Sequence, residues 1–186
     1  MKTFRLALGI TLAIVAMLAL APAAQAQTTG QRSFDLYAGY NVPGLDDLDN
    51  DLTYGIGFTS RVADQWGWGL TAGYMDLQGN NTRPLEDLGI IGAANGYFVD
   101  ANGTWYVAGS DFGIFAGIGF GSVDVDLLGT TQDVSDDAFT YNYGVNYTWN
   151  FGDSYLLKPQ VKWRKWDGDT YEKTDNEYTL AFGWRF

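Results

Sequence analysis

Alternation of large and small side chains is the dominant pattern from Gln27 onward. Between Phe139 and Phe151 the odd positions read Phe139, Tyr141, Tyr143, Val145, Tyr147, Trp149 and Phe151. The even positions between them read Thr140, Asn142, Gly144, Asn146, Thr148 and Asn150. A period of two places one set on each face of a β-strand, because successive side chains point to opposite sides. The last segment repeats the arrangement, with Tyr178, Leu180, Phe182, Trp184 and Phe186 on one face and Glu177, Thr179, Ala181, Gly183 and Arg185 on the other. Five further strands are predicted from Phe34, Leu36, Ala38 and Tyr40; from Leu52, Tyr54, Ile56 and Phe58; from Trp66, Trp68, Leu70, Ala72 and Tyr74; from Phe112, Ile114, Ala116, Ile118 and Phe120; and from Leu157, Pro159, Val161 and Trp163. One more is expected between Leu88 and Val99. There Asn95 and Gly96 fall on opposite faces and leave open which of Tyr97 and Phe98 points outward.

The spacers alternate in length. Asn41–Asp51, Leu77–Asp87, Ser122–Asp137 and Trp166–Asn176 are longer and acidic, whereas Ser60–Gln65 and Gly152–Ser154 are short. The segment from Asp100 to Asp111 breaks the rule, being a longer connection on the short side.

Which face holds the bulk decides between a soluble and a membrane protein. A soluble eight-stranded barrel keeps large apolar side chains inside and polar ones outside. Here the small face is Gly, Thr, Asn and Ser with few charges, too poor in charge to solvate a surface. It suits the narrow lumen of eight strands. The aromatic face suits lipid, with Tyr and Trp near strand ends where amphipathic rings meet headgroups. Closure into a barrel satisfies every backbone amide in hydrocarbon. The predicted fold is therefore all-β, a transmembrane eight-stranded antiparallel up-and-down β-barrel. Short turns belong at the periplasmic end and longer loops outside. Asn102-Gly103 is a strong hairpin signal, yet one extra strand would make nine, and single-chain bacterial barrels have even counts. Thr104–Ala108 is accordingly expected to be a short extension at the turn end.

The N-terminus supports export. Lys2 and Arg5 precede an apolar run from Leu6 to Ala21, Pro22 breaks it, and Ala24-Gln25-Ala26 offers a small-x-small cleavage site. These are the three parts of a signal peptide, so residues 1–26 are expected to be removed and 27–186 to form the barrel domain. Removing Lys2 and Arg5 takes the net charge from -11 to -13. Such acidity disfavours nucleic acid and anionic surfaces. There is no Cys and no His. Thiolate chemistry, Cys metal sites and the commonest general base are all excluded.

The chain resembles the small eight-stranded outer-membrane barrel group, which includes the barrel domain of outer membrane protein A and the opacity-protein and adhesin families. Two segments carry the likeness. Tyr178-Thr179-Leu180-Ala181-Phe182-Gly183-Trp184-Arg185-Phe186 is similar to their C-terminal assembly signal, and Phe115-Ala116-Gly117-Ile118-Gly119-Phe120-Gly121 to their fifth strand. The resemblance implies the bacterial outer membrane as location and the barrel-assembly machinery as a partner through Phe186. No peptidoglycan-binding domain is expected after Phe186. The enzymes among such barrels are lipid A acyl hydrolases or acyltransferases, and the resemblance implies that they act through a catalytic His, which this chain lacks.

Two constellations could carry chemistry. By phase, Asp35, Lys158, Lys162, Arg164, Glu177 and Arg185 point into the lumen. Charges confined there need partners, and Asp35 and Glu177 are the in-phase candidates for the cations. Paired, they plug the barrel; unpaired, they make a cationic pore. The loops carry Asp46, Asp47, Asp49 and Asp51, then Asp124, Asp126, Asp133, Asp136 and Asp137, then Asp167, Asp169, Glu172 and Asp175. Hard cations favour carboxylates, but no segment fits the D-x-[DN]-x-[DN]-G loop. No catalytic, cofactor-binding or metal-binding residue is assigned, and no cofactor and no enzymatic activity are expected. The sequence points to a monomeric structural or surface-interaction protein in contact with outer-membrane lipid and lipopolysaccharide. A host or surface ligand stays unidentified, and a small channel for small or apolar solutes is the alternative.

Overall fold

The computed structural model describes residues 29–43, 51–78, 91–127, 133–168 and 174–186. The signal peptide assigned to residues 1–26 lies outside them, as do Asp46, Asp47, Asp49, Asp169 and Glu172.

The strands are β1 (Arg32–Val42), β2 (Asp51–Ala63), β3 (Trp66–Gln78), β4 (Ile91–Tyr106), β5 (Phe112–Leu127), β6 (Asp133–Tyr147), β7 (Trp149–Phe151), β8 (Tyr155–Asp167) and β9 (Thr174–Arg185). β6 and the three-residue β7 flank Thr148 and make one stave, so nine labels describe eight staves. Sequential strands pair antiparallel, β1 pairs with β9, and β6 pairs with β8. The sheet is thereby closed, the all-β up-and-down barrel that the alternation predicts.

The registers fix the barrel's shape. A line of partners runs Arg32, Ser60, Trp68, Gly103, Ala116, Tyr143, Trp163, Asn176 and back to β1 at Val42, ten residues above its start. Eight strands with that stagger tilt by about 40° and place the backbone about 8 Å from the axis.

Burial is inverted relative to a soluble protein. Large apolar side chains are exposed on the outside, among them Tyr97 at 57%, Val99 at 58% and Tyr143 at 55%. Asp100, Arg164 and Glu177 are fully buried inside. The outward band is ringed by Trp at the turn end, including Trp66, Trp68, Trp105 and Trp184. Toward the loop end Tyr54, Tyr74 and Tyr97 sit side by side, with ring centroids 5.3 and 5.0 Å apart. Amphipathic rings at both margins of an apolar band are the mark of a lipid-embedded barrel.

The start of β1 and the end of β9 meet at the turn end. Arg32 and Phe186 exchange backbone hydrogen bonds of 3.2 and 2.9 Å, and Gly30 N–H donates to the Arg61 carbonyl at 2.7 Å. Gly152 takes a φ of +57° in the 152–154 turn, a conformation that costs glycine little.

Three expectations about boundaries are corrected. β4 runs unbroken through Asn102-Gly103 to Tyr106, where the sequence suggests a strand ending near Val99. Gly103 is held between Trp68 and Ala116, so two neighbouring strands override the local turn preference. The 100–111 connection shrinks to a short 3₁₀ turn, Val107–Gly109, and the exception to the length rule disappears. β5 and β6 extend to Leu127 and from Asp133, and β8 and β9 to Asp167 and from Thr174. Much of the assigned loop sequence is strand, because cross-strand partners continue the ladder.

Depth governs the cost of a charge on the outer face. Tyr143→Arg, within the apolar band, should cost about 2–4 kcal/mol, whereas Asp137→Arg, on the same face of β6 but nearer the loops, should cost about 0–1 kcal/mol. Folding titrations of the two variants in lipid vesicles provide the comparison, and equal losses would contradict the assigned depth.

Candidate functional site

The interior splits into a charged cluster toward the loops, a polar chamber below it, and a second charged group at the turn end. The cluster arises from the inward phase of three strands. On β8 Lys162 and Arg164 are two apart and so share the inner face. β9 supplies Glu177 and β4 supplies Asp100.

Each cation contacts both carboxylates. Lys162 Nζ lies 2.9 Å from Glu177 Oε2 and 3.3 Å from Asp100 Oδ2. Arg164 Nη2 lies 2.5 Å from Asp100 Oδ2, and its Nη1 meets Glu177 Oε1. All four side chains are at most 2% exposed. Two positive and two negative charges balance, as burial requires, since an uncompensated ion costs several kcal/mol. Thr140 Oγ1 donates to Asp100 Oδ1 at 3.2 Å. The Phe98 ring lies under the Arg164 guanidinium, 3.4 Å from its centroid, and 4.7 Å from Lys162 Nζ. Its quadrupole offers negative density to both cations.

Above the cluster Trp166 is fully buried in the lumen and donates from Nε1 to Asp175 Oδ2 at 2.9 Å. The indole fits because its neighbour is Gly121, where a Cβ would meet Trp166 Cζ3 at 2.6 Å. Below the cluster Lys158 Nζ reaches Asp35 Oδ2 at 2.6 Å and Thr59 Oγ1 at 3.5 Å.

The six lumen residues assigned by phase are thus all inward on their strands. Five of them join in pairs: Lys158 with Asp35, and Lys162 and Arg164 with Glu177. Arg185 stands apart at the rim, its Nη2 donating to the Gly152 carbonyl at 2.5 Å. Asp100, which both upper cations share, was not identified from sequence, because the phase of its strand was open. The structure resolves that phase: Tyr97 points outward and Phe98 inward. Extending the alternation past Asn102 would have found it, since Phe98, Asp100, Asn102, Thr104 and Tyr106 share one face.

Asp175 is corrected from an external loop residue to a fully buried lumen residue. Asp124 and Asp137 lie on strand extensions, as do Asp126, Asp133 and Asp136. Among the described residues no group of three or more His, Cys, Asp and Glu is placed to hold a metal ion.

No protein-family model and no curated protein matches this chain. Solved structures do. The N-terminal β-barrel domain of Pseudomonas aeruginosa OprF is 13% identical with a TM-score of 0.52, over 86% of this chain and 100% of that one. Ail, the attachment invasion locus protein of Yersinia pestis, is 16% identical with a TM-score of 0.55, over 86% and 100%. The outer membrane protein OprG from Pseudomonas aeruginosa is 16% identical with a TM-score of 0.54, over 88% and 99%. Identity at this level carries the fold, which is that of the small eight-stranded barrels of the bacterial outer membrane. The resemblance read from the terminal strand and the glycine-rich strand points to the same architecture.

Removing Asp100 should strand Arg164 and Lys162 with one carboxylate between them. Asp100→Ala should destabilise the barrel by about 3–5 kcal/mol, the range for breaking a buried pair. Thr140→Val, which removes one neutral donor to that carboxylate, should cost about 1.5–3 kcal/mol. Urea titrations of vesicle-inserted protein measure both, and a larger loss from Thr140→Val would contradict the cluster's central role.

Proposed function

We propose that this chain is a non-enzymatic, monomeric outer-membrane protein whose lumen is closed and whose working surface is the acidic loop end. One observation carries the reading: both inward cations of β8 are shared by two carboxylates, all four buried, at mid-lumen. A partnered cluster in a narrow barrel leaves no cationic stripe to hold water and pass anions. Function then falls to the ends. The loop end presents Asp124 and Asp137 on strands that outrun the apolar band, next to the acidic segments that follow.

The outward band packs against outer-membrane lipid, the acyl chains of lipopolysaccharide included. The terminal strand ending at Phe186 is the segment offered to the barrel-assembly machinery. Nucleic acid is no partner for so acidic a surface. Ail has been solved in complex with the heparin analogue sucrose octasulfate. The charge of this chain's loops disfavours such a polyanion, so a surface partner here is cationic or neutral.

Planar-bilayer recording of the purified barrel should show no steady conductance. Stable, anion-selective conductance that Lys162→Ala diminishes would overturn the closed-lumen reading and establish the channel alternative. An epitope inserted at Gly129, between β5 and β6, should be labelled on intact cells. Labelling only after permeabilisation would reverse the proposed orientation.

A further inference from the structure

The turn end of the lumen holds a second charged group, separated from the mid-lumen cluster by most of β8. Arg61 is 1% exposed, although it lies two residues from the end of β2. Its Nη1 is 3.6 Å from Asp111 Oδ1. Its Nε donates to the Asp64 carbonyl at 3.1 Å and its Nη2 to the Ser110 carbonyl at 3.3 Å. One guanidinium therefore ties the 64–65 turn to the turn that leads into β5. Asp111 in turn accepts from Asn150 Nδ2 at 3.3 Å, which brings in β7. The guanidinium lies over the Tyr106 ring, 4.2 Å from its centroid. That ring occupies the lumen above Gly67, where a Cβ would come within 3.1 Å of it.

Between this group and the mid-lumen cluster the interior is not filled. A cavity of about 40 Å³ is lined mostly by polar side chains, among them Thr59, Thr71, Asn102, Asn146 and Gln160, with Phe115, Leu156 and the Tyr106 ring completing it. A smaller space of about 20 Å³ beside Asp35 and Tyr37 shares Thr71, Lys158 and Gln160 with it. The side-chain oxygens of Asn102 and Asn146 are buried there without a protein partner. Polar walls, unpaired acceptors and room for two or three molecules are the conditions for buried water.

We propose that Arg61, Asp111 and Tyr106 form a floor that seals a hydrated chamber from the turn side, independently of the ion cluster that forms its ceiling. The inference rests on the closed-lumen reading and deepens it: the lumen is closed twice, and the water between is held rather than exchanged through either mouth. Planar stacking and forked donation are what the floor uses, and a lysine supplies neither in the same form.

The absence of cysteine from the chain makes a direct test possible. Gln160→Cys places a single thiol on the chamber wall. In micelles, where both mouths meet solvent, the folded barrel is treated with methyl methanethiosulfonate and the modified fraction is followed by mass spectrometry. Modification should be at least tenfold slower than in urea-unfolded protein. Adding Arg61→Ala should raise the folded-state rate at least tenfold, with the heat-dependent gel mobility of a folded barrel retained. Asp111→Asn provides a second opening of the floor should Arg61→Ala fail to fold, and Arg61→Lys should give an intermediate rate. A floor variant that folds and labels no faster than its parent would overturn the proposal, as would a parent thiol that reacts at the unfolded rate. Neither result would touch the closed-lumen reading, which stands or falls on bilayer conductance.

Discussion

Inside hydrocarbon no water is available to a peptide group, so each N–H and C=O of this chain must find its partner within the sheet. Joining β6 to β8 and β1 to β9 meets that demand, and it also sets the width of the interior. With the backbone about 8 Å from the axis, inward side chains from opposite walls meet. Glycine then becomes the means of making room. A Cβ on Gly119 would sit 2.3 Å from Asp100 Oδ1 and 2.6 Å from Thr140 Oγ1. The inner face of β5 is bare at Gly119 because the Asp100 carboxylate beside it needs the space. The small faces that mark the lumen in the sequence are thus the complement of the charged side chains.

Ion pairs in so dry a place do not stabilise merely by attraction, because desolvation offsets much of the Coulomb gain. What they impose is register. A slip of β4 by one residue would carry Asp100 and Phe98 to the lipid face and bring Tyr97 and Val99 inside. A bare carboxylate would then face hydrocarbon, while Arg164 and Lys162 would lose half their counter-charge. The same reasoning holds for β8 and β9, whose inward charges pair across adjacent strands. Aromatic rings outside tolerate a shift more readily than these four groups do. The pairing that a hydrophobic band alone would leave loosely specified is pinned from within.

Where sequence reasoning succeeded and failed follows from this division. Alternation between lipid and lumen is a property of every spanning residue, so strand phase was legible for seven of the eight staves, and with it Asp35, Lys158, Lys162, Arg164, Glu177 and Arg185. The ends were not legible. Arg61, Asp111, Trp166 and Asp175 lie where the outward face turns polar, so the contrast between faces fades and charged residues look like loop. Yet Arg61, Trp166 and Asp175 occupy inward positions of strands, Asp111 stands immediately before β5, and all four are buried. β4 misled for a different reason. Asn102-Gly103 has the local chemistry of a turn, but a central strand of a closed sheet is paired on both sides, and those ladders outweigh a two-residue preference. Phe98 compounds the difficulty, since an inward aromatic breaks the rule that bulk faces lipid. Its position becomes intelligible only with the two cations that its ring supports.

The two mouths of the barrel are built on opposite principles. At the turn end, connections are short, Arg32 at the start of β1 pairs with Phe186, and arginine side chains bind the carbonyls of neighbouring turns. The Arg61 and Arg185 contacts there hold the backbone of one turn to another. At the loop end, β4 and β5 each run to 16 residues, beyond the 9–11 or so that a tilted strand needs to cross. The surplus length of β5, and of β6 beside it, carries Asp124 and Asp137 beyond the apolar band. Carboxylates at that distance from the lumen cluster cannot balance its cations and do nothing to close the barrel. On the proposed reading, a chain that concentrates internal pairing at mid-lumen and at the turns, and carries Asp124 and Asp137 on projecting strands, separates the part that stays shut from the part that can meet another surface.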